Sequence, residues 1–96
     1  MKIDQLLEEK RPAVMALITK HGAQNPRIFG SVARGDFGPE SDIDLLVNME
    51  EGRSLLDISA LTLDLRDLLG VKVDVVSEDG LYWLLRRRIL KEVRPL

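Results

Sequence analysis

The sequence predicts an α/β fold with α+β character: a small mixed sheet, three-stranded or slightly larger, flanked by helices. Three observations carry this. Short strand-like runs occur at "RIFGS", "DIDLLVNM" and "VKVDVVS", the last two with period-two alternation. A long helical apolar series separates the last two, and a strand, helix and strand in succession predict a parallel crossover. Helical patterns also open and close the chain. Its 96 residues fit one domain covering 1–96, and a chain of that size buries roughly 60 to 70% of its unfolded surface.

The elements follow in order. Ile3, Leu6 and Leu7 stand at helical spacing, and after Pro12 a second series of Val14, Leu17 and Ile18 begins. Proline suits a first helical turn and not an interior, so two short helices or one kinked helix are expected. His21-Gly22 is the expected stop, with His21 as a cap residue and Met15 as core filler. "RIFGS" reads as a short strand ending in a glycine turn. In "DIDLLVNM", Ile43, Leu45 and Val47 alternate with Asp42, Asp44 and Leu46.

Ser54 and Asp57 form a capping-box-like start to a helix bearing Leu55, Ile58, Leu61, Leu65, Leu68 and Leu69, closed by Gly70. The third strand places Val71, Val73 and Val75 on one face and Lys72, Asp74 and Val76 on the other. A last helix is expected from about Gly80 towards Val93, with Leu81, Leu84, Leu85, Ile89 and Val93 buried and Tyr82 and Trp83 as packing residues. Arg86, Arg87 and Arg88 fall on it, spread about 100° apart, and read as a solvated face or as contacts to an acidic partner or a phosphate.

Composition narrows the function classes. Sixteen acidic and fourteen basic side chains leave a net charge of -2, which supplies no global field for nucleic acid or an anionic membrane. The absence of cysteine excludes disulfides, thiolate metal sites and a cysteine nucleophile. The longest apolar run, Ala13 to Ile18, is far short of the ~20 residues of a membrane span, and the acidic N-terminus does not read as a signal peptide. Cytoplasmic location is the expectation, with neither membrane nor direct nucleic-acid contact.

The chemistry concentrates in "FGSVARGDFGPESDID". Residues two apart on a strand share a face, so Asp42 and Asp44 present both carboxylates opposite Ile43 and Leu45. At an effective dielectric near 20, two carboxylates about 5 Å apart repel by roughly 3 kcal/mol, which a divalent cation more than reverses. Mg²⁺ takes one or two carboxylates and leaves positions for water and substrate phosphates. Gly30 lets backbone approach a phosphate, Ser31 offers an amide and a hydroxyl at a helix N-terminus, and Arg34 adds a charge-assisted donor. Asp74 is the candidate third carboxylate of a two-metal constellation. Asp36 and Glu40 read as solvent-facing spacer.

Asp-x-Asp alone often decorates an exposed strand, and Gly-Ser after a strand is usually a turn. Together, in this order and with an aspartate in the third strand, they favour catalysis. The combination "FGSVARG" and "SDIDLLV" resembles the minimal nucleotidyltransferases of the DNA polymerase beta superfamily. The resemblance is specific from about Arg27 to Ser77 and implies the nucleotidyltransferase fold.

The resemblance implies that Gly30 and Ser31, with Arg34 as a further phosphate contact, hold a nucleoside triphosphate. It implies that Asp42, Asp44 and Asp74 bind two Mg²⁺ ions and are catalytic, with Asp74 positioning or deprotonating an acceptor hydroxyl. After the third strand only about one helix remains, too little to cover an acceptor. The resemblance accordingly implies an antitoxin that pairs with a HEPN-domain toxin in a hetero-oligomer and transfers AMP from ATP to a tyrosine on it. Two alternatives stand beside this: an antitoxin that neutralises by binding alone, and a transferase acting on an aminoglycoside-like small molecule. No residue reads the base.

Overall fold

In the computed structural model, which describes residues 3–30, 33, 42–80 and 83–96, the elements run α1 (Ile3–Lys20), β1 (Ala23–Phe29), β2 (Ile43–Met49), α2 (Leu55–Leu69), β3 (Val73–Ser77), a 3₁₀ turn (Glu78–Gly80), α3 (Trp83–Glu92) and β4 (Arg94–Pro95). The described strands form one mixed sheet in the order β3-β2-β1-β4. β1 pairs antiparallel with both β2 and β4, whereas β2 and β3 are parallel. The expected crossover is therefore present, with α2 as its helix.

The start of α2 is fixed locally. The Ser54 hydroxyl accepts from the Leu56 amide at 3.2 Å, and the Asp57 carboxylate accepts from the Ser54 amide at 2.9 Å. These bonds satisfy two donors that the first helical turn leaves open. The Ser54 amide, and the Arg53 guanidinium after it, hold the Asp57 carboxyl below its usual range. At the other end Gly70 adopts φ 69° and donates to the Arg66 carbonyl, the left-handed stop that glycine takes at least cost.

The core lies between one sheet face and helices α1 and α2. Leu7, Val14 and Ile18 of α1 meet Leu61, Leu65 and Leu69 of α2 over Ile43, Leu45 and Val47 of β2 and Val73 of β3. Leu61 and Leu65 are wholly buried, each contributing about 1.5–3 kcal/mol by transfer from water. A second tie joins the helices at their margin, where His21 Nε2 lies 2.7 Å from Asp64 Oδ2.

Several expectations are corrected. One helix runs through Pro12 where two short ones were an option: Pro12 and Glu8, the residue whose carbonyl loses its donor, are exposed, while buried Leu7 and Val14 anchor the turns on either side. His21 does more than cap α1, because its ring reaches α2. β1 begins at Ala23, well before "RIFGS", since a register shift between Gln24 and Arg27, with Asn25 at φ 52°, absorbs Pro26 within the strand.

Leu46 is completely buried although it alternates with the core set. Val71 lies before β3. Met15, expected in the core, is 38% exposed, and Leu85, expected on a buried stripe, is 50% exposed; α1 and α3 each turn those positions away from the sheet. α3 starts at Trp83, after the 3₁₀ turn that holds Gly80. Leu81 and Tyr82, and the side chains of Trp83 and Leu84, lie outside the described residues. β4 had no counterpart in the sequence reading.

Candidate active site

The site forms where β1 ends and β2 begins. Asp44 is in register with Phe29 on the antiparallel side and with Asp74 on the parallel side, so Phe29, Asp44 and Asp74 make one row across three strands. This row is on the face opposite Ile43 and Leu45. Asp42 stands immediately before β2, whose first residue, Ile43, donates its amide to the Lys72 carbonyl at 3.0 Å.

Gly30 closes the row from the β1 side. It has φ 75°, and a methyl group placed on it would overlap the Asp44 carboxylate. Glycine is needed here for two reasons at once: the left-handed backbone and the close approach of a charged side chain. Ala33, three residues on, is buried in the core.

Of the six expected site residues, the structure brings Gly30, Asp44 and Asp74 together, with Asp42 at the mouth of the same strand. Ser31 and Arg34, like the spacer acids Asp36 and Glu40, lie outside the described residues. Two cations absent from the expected set enter the site. Lys72 Nζ lies 3.4 Å from Asp42 Oδ2, and Arg66 Nη2 lies 3.4 Å from Asp74 Oδ1 while its Nε donates to the Val73 carbonyl at 3.0 Å. Lys72 could have been anticipated, since it shares a strand face with Asp74; Arg66 could not, because it reaches Asp74 from another element.

Among the described residues no three acidic or histidine side chains converge as a cage for a metal ion. The donor set is of a different kind: carboxylates on one edge of an open groove, which suits an ion that takes one or two protein oxygens and completes its shell from phosphate and water. The groove, of about 670 Å³, lies between Asp44 and Asp74 on one side and Ile58, Thr62 and Leu63 of α2 on the other. No described helix is long and apolar enough to cross a membrane.

A second polar cluster lies further along the same sheet face. Asn48 donates to Glu78 Oε2 at 2.6 Å, and Arg27 Nη2 bonds Asn48 Oδ1 at 2.9 Å and approaches Glu78 Oε2 at 3.4 Å. Arg86 of α3 reaches Glu78 Oε1 at 3.7 Å, so one arginine of the basic run has an intramolecular partner. The Asn48 amide, and then Arg27, hold the Glu78 carboxyl below its usual range. This cluster binds β1, β2, the 3₁₀ turn and α3 together.

Comparison with known proteins identifies the family. The family model described as a nucleotidyltransferase domain matches residues 3–96. A Methanocaldococcus jannaschii protein, MJ0435, provisionally named a protein adenylyltransferase, is 41% identical over 86 residues, covering 90% of this chain and 92% of its own. Protein adenylyltransferase MntA of Thermococcus cleftensis is 38% identical over 74 residues, 77% of this chain and 75% of its own.

Among solved structures, one provisionally described as a minimal nucleotidyltransferase superposes with TM-score 0.87 at 52% identity, covering 100% of this chain and 97% of that one. The fold is also that of a more distant complex, a tri-AMPylated Shewanella oneidensis HEPN toxin with its MNT antitoxin, at TM-score 0.71 and 18% identity over 92% of this chain and 69% of that one.

Proposed function

The chain belongs to the nucleotidyltransferase domain family and is a nucleotidyltransferase, and from that premise we propose that it is the antitoxin of a HEPN-type pair, moving AMP from ATP to a tyrosine hydroxyl of its partner. The observation that carries this reading is the row in which Asp44 and Asp74 are lateral neighbours while Gly30 lies against Asp44. It sets Gly30, just past β1, beside the carboxylates of Asp44 on β2 and Asp74 on β3, which supports a triphosphate held against a carboxylate pair. The adenylyltransferase names of the relatives and the HEPN partner of the distant complex support the donor and the acceptor. We read residues 1–96 as one minimal nucleotidyltransferase domain.

In this reading Gly30 and Ser31 cradle the triphosphate, Arg34 adds a charged contact, and Asp42 and Asp44 hold Mg²⁺, with Asp74 as the third carboxylate. When bound, Mg²⁺ neutralises charge that develops on the phosphates. Asp74 accepts the proton from the acceptor hydroxyl as its oxygen bonds to the α-phosphorus and the bond to pyrophosphate breaks. Arg66 and Lys72 hold two of these carboxylates in place until substrate enters.

The test is co-expression with a HEPN-domain protein as candidate partner. Intact-mass spectra of that partner should show AMP additions that disappear with Asp42→Asn; an unmodified partner in the presence of wild-type protein contradicts the proposal. A second reading, neutralisation by binding alone, is favoured by one observation: Asp42 and Asp74 are each already paired with a cation. It predicts that Asp42→Asn and Asp74→Asn still protect cells.

A further inference from the structure

Helix α2 has two apolar faces, and the core uses one of them. Leu61, Leu65 and Leu69 are buried in the core, while Leu56 and Leu63 are 81% and 64% exposed. Nine residues turn a helix through about 180°, so Leu56 points away from Leu65. Leu63 stands two turns beyond Leu56 on the same outward side. Large apolar side chains aligned in water mark a place that another surface covers.

The pattern of the stripe says what covers it. Midway between the two leucines stand Ser59 and Ala60, small side chains that leave a shallow gap between two large ones. A second α2 can lie antiparallel across this stripe, related by a two-fold axis at the Ser59–Ala60 midpoint. That axis sets each Leu56 beside the other copy's Leu63 and lets the helices close over the small residues in the middle. The ends match as well. Asp67 continues the stripe one turn past Leu63, is exposed, and has no ion-pair partner among the described residues. Arg53 precedes α2 at the other end, with its guanidinium partly exposed. The same axis brings each Asp67 towards the other copy's Arg53, whereas a parallel pair would set like charges together.

We propose that the outward face of α2 is the interface of a two-fold homodimer, built on Leu56, Ala60 and Leu63 with an Arg53 and Asp67 pair at each end. One pair of helices of this length gives an interface at the low end of the size range, below about 1,200 Å² in total. The dimer is accordingly weak, with a Kd of roughly 10–100 μM. The catalytic groove is close by: Ser59 and Leu63 also line it, beside Asp44 and Asp74, so the second copy stands at its rim. The inference concerns association alone and does not depend on what the groove transfers.

Sedimentation of the full chain across roughly 5–500 μM brackets that affinity and should show the mass rising from one chain to two. Leu56→Asp should stay a single chain throughout, Leu56→Met should associate as wild type does, and circular dichroism reports that both variants are folded. Because the chain has no cysteine, introduced cysteines then read the register, a disulfide needing Cα atoms within about 7 Å. Under mild oxidation Ala60→Cys, next to the axis, should cross-link to its own copy. Leu56→Cys should cross-link to Leu63→Cys and not to itself, and Glu9→Cys, exposed on α1, should do neither. A chain that remains single at every concentration overturns the proposal and leaves the stripe to a partner of another kind. A dimer that Leu56→Asp leaves unchanged overturns it too, as does one in which Ala60→Cys links no faster than Glu9→Cys. Assembly beyond two copies contradicts the closed two-fold.

Discussion

Gly30 carries the sharpest demand on a single residue. Its left-handed backbone and the Asp44 carboxylate over it leave no room for a side chain, so Gly30→Ala displaces Asp44 or the strand end. A shift of about 1 Å in a reacting group costs on the order of 100-fold in rate. We expect AMP transfer by Gly30→Ala to fall by about that factor while the circular dichroism spectrum remains native, which initial-rate measurements with labelled ATP will check.

Glu78 makes a different prediction. Its carboxyl is held below the usual range in the folded protein by Asn48 and Arg27, so its stabilising effect is full above the unfolded-state pKa and is lost as pH falls through the lower folded-state value. Glu78→Gln should therefore reduce unfolding free energy by about 1–3 kcal/mol at neutral pH. The gap to wild type should close in acid, below the ordinary glutamate range. Urea titrations at a series of pH values test it; a gap independent of pH contradicts the assigned cause.

At the scale of elements, α2 was legible because its signals are local: Ser54 and Asp57 three apart, apolar residues at helical spacing, glycine at the end. Removing the Ser54 hydroxyl with Ser54→Ala should lower stability by about 1 kcal/mol, measured as a shift of the urea midpoint at unchanged slope. β2 and β3 were equally legible, since the alternation that exposes Asp44 and Asp74 is written in consecutive residues. What escaped depends on partners distant in sequence. Arg66 finds Asp74 only after the crossover folds back, and β4 exists only through its pairing with Arg27 and Ile28. Pro12 left two short helices or one kinked helix open for the same reason: core contacts on both sides of it decide for one helix.

For the whole molecule, the division of labour follows the sheet. One face is closed by α1 and α2 and holds the fold. The other carries two polar groups of opposite purpose, the carboxylate row at one end and the Glu78 cluster that ties four elements together. The candidate site was legible as Gly30 with Asp42, Asp44 and Asp74, because its chemistry lies in short motifs. The α2 side of its groove was not, because Ile58 and Leu63 read from sequence as ordinary helix positions until α2 is placed beside β3.

The central claim is that this row transfers a nucleoside monophosphate to a protein. Its most direct measurement is label transfer from α-labelled ATP, with Mg²⁺, to a purified HEPN-domain protein, the proposed partner, by wild-type protein and by Asp44→Asn and Asp74→Asn. The account predicts labelled partner with wild type and a loss of on the order of 100-fold or more with either variant; partner labelled equally by all three, or by none while wild type still neutralises it, would contradict the account.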